Sequence, residues 1–165
     1  MTFATRADLL ARSNARRLAQ LAVPADVEMV PDDALRVAIA GGSLAGYTQA
    51  QQSSLMLALH AIDKALADAD ALMVSYGVAA TAQAPLLSRL ASTIALYYLQ
   101  GAERMTDDVN KAYESTVATL KAHSRGDVVL VPVPPTVPPL SEEPVLFNSS
   151  PRRYGSTATT PPGDW

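Results

Sequence analysis

One apolar stripe constrains the fold of this chain more than any other feature. Between residues 55 and 76, seven apolar side chains recur at spacings that alternate between four and three. This spacing places all of them on one face of an α-helix. They are Leu55, Leu59, Ile62, Leu66, Ala69, Met73 and Tyr76. The stripe predicts a single helix of about eight turns, and Gly77 is well placed to end it.

The residues after this stripe predict two further helices. Pro85 can occupy the first turn of a helix, because its missing N–H is not needed there. Thr106 is followed by two aspartates, whose negative charge suits the positive end of a helix dipole, and Gly126 can end the helix that starts there. The apolar faces are Leu87, Leu90, Ile94 and Tyr97 in the first of these helices, and Val109, Tyr113, Val117 and Leu120 in the second.

The N-terminal part of the chain adds weaker helical signals. Thr5 and Asp8 have the spacing of a capping box, which predicts a first helix that begins near Thr5 and ends no later than Pro24. Asp32 can start a short helix that stops at a glycine-rich loop from Gly41. The sequence therefore predicts a mainly α protein, a small helical bundle with a long central helix and an extended proline-rich C-terminal arm.

The C-terminal arm differs in composition from the rest of the chain. The last forty residues hold nine of the twelve prolines, so we divide the chain into a helical domain, residues 1–126, and an arm, residues 127–165. The segment DVVLVPV alternates like a β-strand, but its prolines remove backbone donors. A strand over residues 127–133 is therefore expected only at a sheet edge or as an addition to another sheet.

Two interpretations of the arm remain open. A proline-rich terminus is often a disordered tail. This arm is richer in large apolar side chains than a simple linker, and a stiff extended segment loses little entropy when it docks in a groove on a neighbouring chain. The apolar candidates for docking are Val129, Leu130, Val131, Val133, Leu146, Phe147 and Trp165.

Composition limits the possible functions. The 165 residues carry a net charge of −3, which provides no overall field to hold nucleic acid or an acidic membrane. The absence of cysteine excludes disulfides and thiolate metal sites. No stretch resembles a secretory leader or a membrane span, so we expect a soluble protein that is not secreted and has no membrane partner.

The residues that could carry chemistry do not form a recognisable site. His60 and His123 each lack a second ligand at metal spacing. Asp63 and Asp70 share a helical face, and a solvated face explains them better than a paired acid and base. The string AGGSLAG matches neither a phosphate loop nor a nucleophile elbow. We therefore predict no catalytic, cofactor-binding or metal-binding residue, no cofactor, and no enzymatic activity.

A small basic face is a further candidate. Arg12 and Arg16 fall one turn apart if the first helix is continuous, and such a pair could contact phosphate or dock an acidic surface. Exposed arginines are also ordinary on an amphipathic helix. The sequence favours the second explanation.

Several segments together resemble the neck proteins of phage Mu and Mu-like prophages. They are FATRADLLAR, then AIDKALADADALMVSYGVAATAQAPLLSRLASTIALYYLQ, then MTDDVNKAYESTVATLKAHSRGDVVL. In that family an aromatic-Ala-Thr opening, an Ala/Asp-rich helix, a proline-led helix and a YExxxxxLK segment follow in this order. The resemblance covers most of residues 3–130, and SSPRRYGS is similar to an arginine-aromatic stretch near the family's end. Residues 25–56 and YGVAATAQAP depart from the family pattern.

The resemblance implies a structural protein of a tailed phage or prophage virion. Such a head-tail connector, or adaptor, forms a ring beneath the portal and extends the DNA channel. The implied partners are other copies of the chain, commonly twelve, the portal protein, and a tail-side neck or tail-terminator protein. Genome DNA would pass through without sequence-specific binding. The protein would assemble in the host cytoplasm and reside at the head-tail junction.

On this interpretation the arm is a docking element. Arg152, Arg153 and Tyr154 would anchor it, because arginine and tyrosine carry much of the energy in buried contacts, and residues 128–133 would add a strand to a partner's sheet edge. One alternative is a helical binding or regulatory module whose P-x-x-P spacing in VPPTVPPL engages a recognition domain. An enzyme is disfavoured because no nucleophile, base and orienting group can be assembled from these residues.

Overall fold

The computed structural model describes residues 2–101 and 104–131. Within these residues the chain forms six α-helices and no strand. They are α1 (Arg6–Arg12), α2 (Ala15–Ala22), α3 (Asp32–Ile39), α4 (Gln49–Ser75), α5 (Pro85–Gln100) and α6 (Asp107–Ser124). The prediction of a mainly α bundle built on one long helix is confirmed.

The long helix α4 is the centre of this bundle. It has 27 residues, and its N-terminus is closed by a capping box in which Thr48 and Gln51 each accept a hydrogen bond from the other's backbone N–H. These bonds satisfy two donors that a helix start leaves unpaired. The predicted stripe faces the core: five of its seven residues are buried, while Leu59 and Tyr76 are half-buried.

The end of α4 shows why Gly77 stops the helix. Gly77 has a φ of +88°, a left-handed conformation that costs glycine little. Its N–H donates to the carbonyl of Val74 at 2.9 Å, and the N–H of Val78 donates to the carbonyl of Met73 at 3.2 Å. This pair of bonds is the Schellman motif, and Val78 and Met73 are both buried, as that motif favours.

The other helices surround α4 and α5. The contact between α4 and α5 is the most extensive of the described pairs, and a connection of nine residues, 76–84, joins these two neighbouring helices. Helices α2 and α3 pack on α4, and α1 packs on α5. The largest fully buried apolar side chains are Leu9, Leu18, Leu35, Leu55, Ile62, Met73, Leu87, Ile94, Leu120 and Val30.

The predicted capping box of Thr5 and Asp8 and the helix start that follows it are confirmed. The prediction of one continuous helix is wrong, because this segment forms two helices. Ser13 is extended, with φ −121° and ψ 150°, and ends α1. Asn14 then caps α2 by accepting a hydrogen bond from the N–H of Arg17 at 2.7 Å. Asparagine is a favoured N-cap residue, because its side-chain oxygen accepts a hydrogen bond from a backbone N–H that has no partner within the helix. The break allows Leu9 from α1 and Leu18 from α2 both to be fully buried.

The hydrophobic core of the described residues includes positions beyond residue 126, where the helical domain was expected to end. Leu130 is only 3% exposed and belongs to the hydrophobic core, and Val131 packs against that core. Residues 127–131 are not in a strand, so the strand expected over 127–133 is not formed there by the single chain. Its addition to a partner's sheet stays a prediction.

Candidate interaction surfaces

The N-terminal segment is fastened to the middle of α4 by two carboxylates. The N–H of Phe3 donates to Oδ1 of Asp70 at 3.0 Å. The guanidinium of Arg6 donates to both carboxylate oxygens of Asp63, at 2.7 and 2.5 Å. We call these four residues the N-terminal clasp. Two-point arginine-carboxylate contacts fix geometry as well as charge, so the clasp sets where α1 begins relative to α4.

The two carboxylates of the clasp differ in their electrostatics. The hydrogen bond from Arg6 holds the pKa of Asp63 below its usual range, against a smaller opposing effect of burial. Burial raises the pKa of Asp70 more than the N–H of Phe3 lowers it. The sequence placed Asp63 and Asp70 on one helical face but predicted a solvated face. Their spacing of seven residues and the arginine in the opening motif were the available signals for this contact.

The predicted basic face does not form as a helical pair. Arg12 ends α1 and Arg16 lies in α2, with the break at Ser13 and Asn14 between them. Both side chains are exposed. The continuous helix that placed them one turn apart is absent, so the spacing argument for a phosphate-binding pair no longer holds.

An open cleft of about 760 Å³ lies between the N-terminal segment and the start of α5. It is lined by Thr2, Phe3, Thr5, Asp8, Ala11, Arg12, Gln83, Ala84, Pro85 and Ser88. Hydrogen bonds from the backbone N–H and the hydroxyl of Thr5 lower the pKa of Asp8, so this carboxylate stays ionised as part of the capping box that starts α1. Its role is structural, and the cleft offers a mixed polar and apolar surface.

A second surface is aromatic. The rings of Tyr97 and Tyr113 stack with their centroids 3.8 Å apart and an interplanar angle of 10°. Tyr98 lies edge-on to Tyr97, with the centroids 5.9 Å apart, and is 38% exposed. We call these three residues the tyrosine patch. Burial first, and then the neighbouring Tyr113 hydroxyl, raise the pKa of Tyr98 to about 12, so Tyr98 is a neutral hydrogen-bond donor at physiological pH.

The tyrosine patch lies where α6 meets α5, and α6 is the least buried of the longer helices. Only Thr116 and Leu120 of its 18 residues are buried. The other members of its predicted apolar face, Val109, Tyr113 and Val117, are half-buried. Part of this face is therefore available for contact with another chain.

The candidate docking residues of the arm fall into three groups. Val129 is 67% exposed and remains available for a partner. Leu130 is buried in the core of its own chain and Val131 is half-buried against that core, so the structure assigns these two a packing role in place of a free docking surface. The remaining candidates, which lie outside the described residues, are Val133, Leu146, Phe147, Arg152, Arg153, Tyr154 and Trp165.

The described residues hold no group of three or more histidine, cysteine or carboxylate side chains arranged to bind a metal ion. His60 is exposed on α4. His123 uses its Nδ1 in a 3.0 Å hydrogen bond with the carbonyl of Val128, which ties the segment after α6 to that helix. Among the same residues, no helix is long and apolar enough to cross a membrane.

The comparison with protein families gives the clearest indication of origin. The family model described as Bacteriophage Mu, Gp36 matches residues 3–146. The match spans nearly all of the described helical unit and continues into the arm. Neither a curated protein nor a solved structure gives a significant match. The resemblance to a phage Mu family is confirmed over most of the chain, and the protein belongs to the bacteriophage Mu Gp36 family.

Proposed function

We propose that this protein is a head-tail connector of a Mu-like phage or prophage. In this role it forms a ring beneath the portal and extends the DNA channel toward the tail. The observation that carries the proposal is the family match over residues 3–146, because the segments within it are those that resemble Mu-type neck proteins. A structural role also agrees with the surfaces described above, which are suited to contacts between proteins.

The chemistry of the described residues supports a structural role. Asp63 and Asp70 hold the N-terminal segment in place, and Asp8 caps α1. Each of these carboxylates therefore has a structural partner: Asp63 an arginine, Asp70 a backbone N–H and Asp8 the capping threonine. We infer that the protein is not an enzyme and needs no cofactor.

The proposed partners follow from the position of such a ring. Copies of this chain, in a ring of about twelve by analogy with connectors, would contact the portal on one side and a tail-side neck or tail-terminator protein on the other. The net charge of −3 per chain favours a channel that lets DNA pass without tight binding. The protein would assemble in the host cytoplasm and remain at the head-tail junction of the virion.

Electron microscopy of particles from a phage or prophage lysate tests the proposal, together with mass measurement of the isolated protein. We expect a ring between head and tail into which α1 to α6 can be fitted. The isolated protein should be a monomer or weakly associated, and it should form a defined ring with its portal. Intact virions that lack the protein would contradict the proposal and would favour a helical binding module that acts through its proline-rich arm.

A further inference from the structure

We propose that the tyrosine patch is a docking site for the proline-rich segment of a second copy of this chain, residues 132–139. The inference deepens the connector proposal and rests on it, because it names the surface through which one subunit would hold its neighbour. It is carried by the match in chemistry between the exposed aromatic surface and the sequence PVPPTVPP that follows the last described residue.

The patch has the two features that bind a polyproline segment. Its rings meet at stacked and edge-on angles, and the exposed part of Tyr98 offers an apolar surface of the kind against which proline rings pack. Its phenol hydroxyls are hydrogen-bond donors. A polyproline II segment has no internal hydrogen bonds and exposes all its carbonyl oxygens as acceptors. Grooves lined by aromatic side chains bind proline-rich segments in this way, and they exploit a ligand that is already extended.

The surroundings of the patch leave room for such a ligand. Tyr98 is 38% exposed, and Val109 and Val117 of the adjoining α6 face are only half-buried. A ligand that lies along α6 would cover both the aromatic and the aliphatic part of this surface. Eight residues in the polyproline II conformation span about 25 Å, which is comparable to the length of α6 at about 1.5 Å per residue.

A second copy is a better donor of this segment than the same copy. Leu130 is fixed in the core of its own chain, and the proline run begins only two residues later. Proline fixes φ, so a proline-rich sequence favours an extended path over the reversal that a return to its own helices would require. In the proposed ring, each neighbouring subunit would offer the same patch to this segment.

Disulfide trapping tests the inference cleanly, because the chain contains no cysteine. One population of the full chain carries Glu114→Cys, next to Tyr113 on the exposed side of α6, and another carries Thr136→Cys within the proline run. The control population carries Arg36→Cys. Arg36 is exposed on α3, a helix that packs on α1, α2 and α4. The Glu114→Cys chain and the Arg36→Cys chain are mixed separately with the Thr136→Cys chain and oxidised. The disulfide-linked products are then identified by mass spectrometry.

We expect a higher yield of the disulfide-linked heterodimer from the Glu114→Cys and Thr136→Cys chains than from the Arg36→Cys control and the Thr136→Cys chain. Adding Tyr98→Ala to the Glu114→Cys chain should reduce the yield about fivefold, since aromatic residues dominate such contacts. Because Tyr98→Ala could disturb α5, a second variant replaces Pro134, Pro135, Pro138 and Pro139 with alanine in the Thr136→Cys chain. It leaves the patch intact and should reduce the yield similarly.

Three results would overturn the inference. The first is an equal yield at residues 114 and 36, and the second is a yield that neither Tyr98→Ala nor the proline replacements reduce. The third comes from a chain that carries both Glu114→Cys and Thr136→Cys: a disulfide that forms within this single chain but not between two chains that carry one cysteine each. A product that joins two Glu114→Cys chains and excludes the arm would instead indicate contact between two α6 helices. Microscopy of virions is independent of this experiment, so a ring without the trapped contact would contradict only the docking inference.

Discussion

The start of the arm could dock on a partner or pack in the core of its own chain, and replacing Leu130 by alanine is the single change that best distinguishes these two roles. The sequence favoured a docking role for Leu130 together with its neighbours, but the structure buries its side chain, which is 3% exposed, in the core. Val129, the residue before it, is 67% exposed. The two adjacent positions therefore form a matched pair in which only one substitution should affect the free energy of unfolding.

The magnitude follows from burial. Leu130→Ala removes three carbon atoms from an apolar site, a transfer cost of about 2.4 kcal/mol at about 0.8 kcal/mol per methylene. A cavity would add to this cost, but the segment lies at the end of the compact unit and can relax. We therefore expect little beyond the transfer cost, about 2.4 kcal/mol, near the lower end of the usual range of about 2–5 kcal/mol. Val129→Ala should stay within about 0.5 kcal/mol of the parent, as exposed substitutions do.

Urea denaturation followed by far-ultraviolet circular dichroism measures both variants. With a slope of about 2 kcal/mol per molar urea, the Leu130→Ala midpoint should fall by about 1 M, and its thermal midpoint by about 8 °C. The Val129→Ala midpoint should not change. If both variants have the same urea midpoint as the parent, Leu130 does not pack in the core of the isolated chain. The compact unit would then end near residue 126, as the sequence indicated.

Three further predictions concern the clasp and one helix end. Asp63→Asn should lower the unfolding free energy at pH 7 by about 0.5 kcal/mol, a small value because both partners are exposed to solvent. The folded pKa of Asp63 is lowered, so in urea titrations the difference from the parent should disappear as the pH falls through that pKa. Asp70→Asn keeps an acceptor for the Phe3 N–H and removes a charge whose folded pKa is raised, so its urea midpoint at pH 7 should equal or exceed that of the parent. The difference should narrow as the pH falls through the raised folded pKa, and it should be absent below about pH 4, near the pKa of the unfolded chain. Gly77→Ala should cost about 1 kcal/mol in thermal unfolding, because φ is +88° although nothing lies within 4 Å of the added carbon. Gly46→Ala, equally uncrowded and without a positive φ, should not destabilise.

The helices were predictable where local chemistry and the apolar pattern agree. Pro85, Gly77 and Gly126 were each expected at a helix end, and each has that position in the structure. The stripe of α4 was predictable because four-three spacing has one simple helical solution. The break at Ser13 and Asn14 was missed because both residues also fit within a helix. The cap hydrogen bond of Asn14 and the burial of both Leu9 and Leu18 make the break favourable.

The sequence held signals for the clasp but could not identify which residues pair in it. Its partners are 57 and 67 residues apart along the chain, and a helical pattern fixes helices better than their arrangement. An exposed aspartate on α4 looks the same whether it faces water or Arg6. The stacking of Tyr97 on Tyr113 likewise depends on how α6 lies against α5, which neither helix specifies alone.

The distribution of aromatic side chains gives the strongest physical reason to expect assembly. Eleven of the 26 buried apolar residues in the described part of the chain are alanines, and none is aromatic. The six aromatic residues described there are half-buried or exposed. Aromatic side chains bury the most area per residue and are enriched in contacts between proteins. Phe3, Tyr47, Tyr76 and Tyr113 also pack against the core of their own chain, whereas Tyr98 is exposed. In the proposed assembly the exposed aromatic surface would contact other chains, and contacts of that kind would stabilise the folded unit further by mass action.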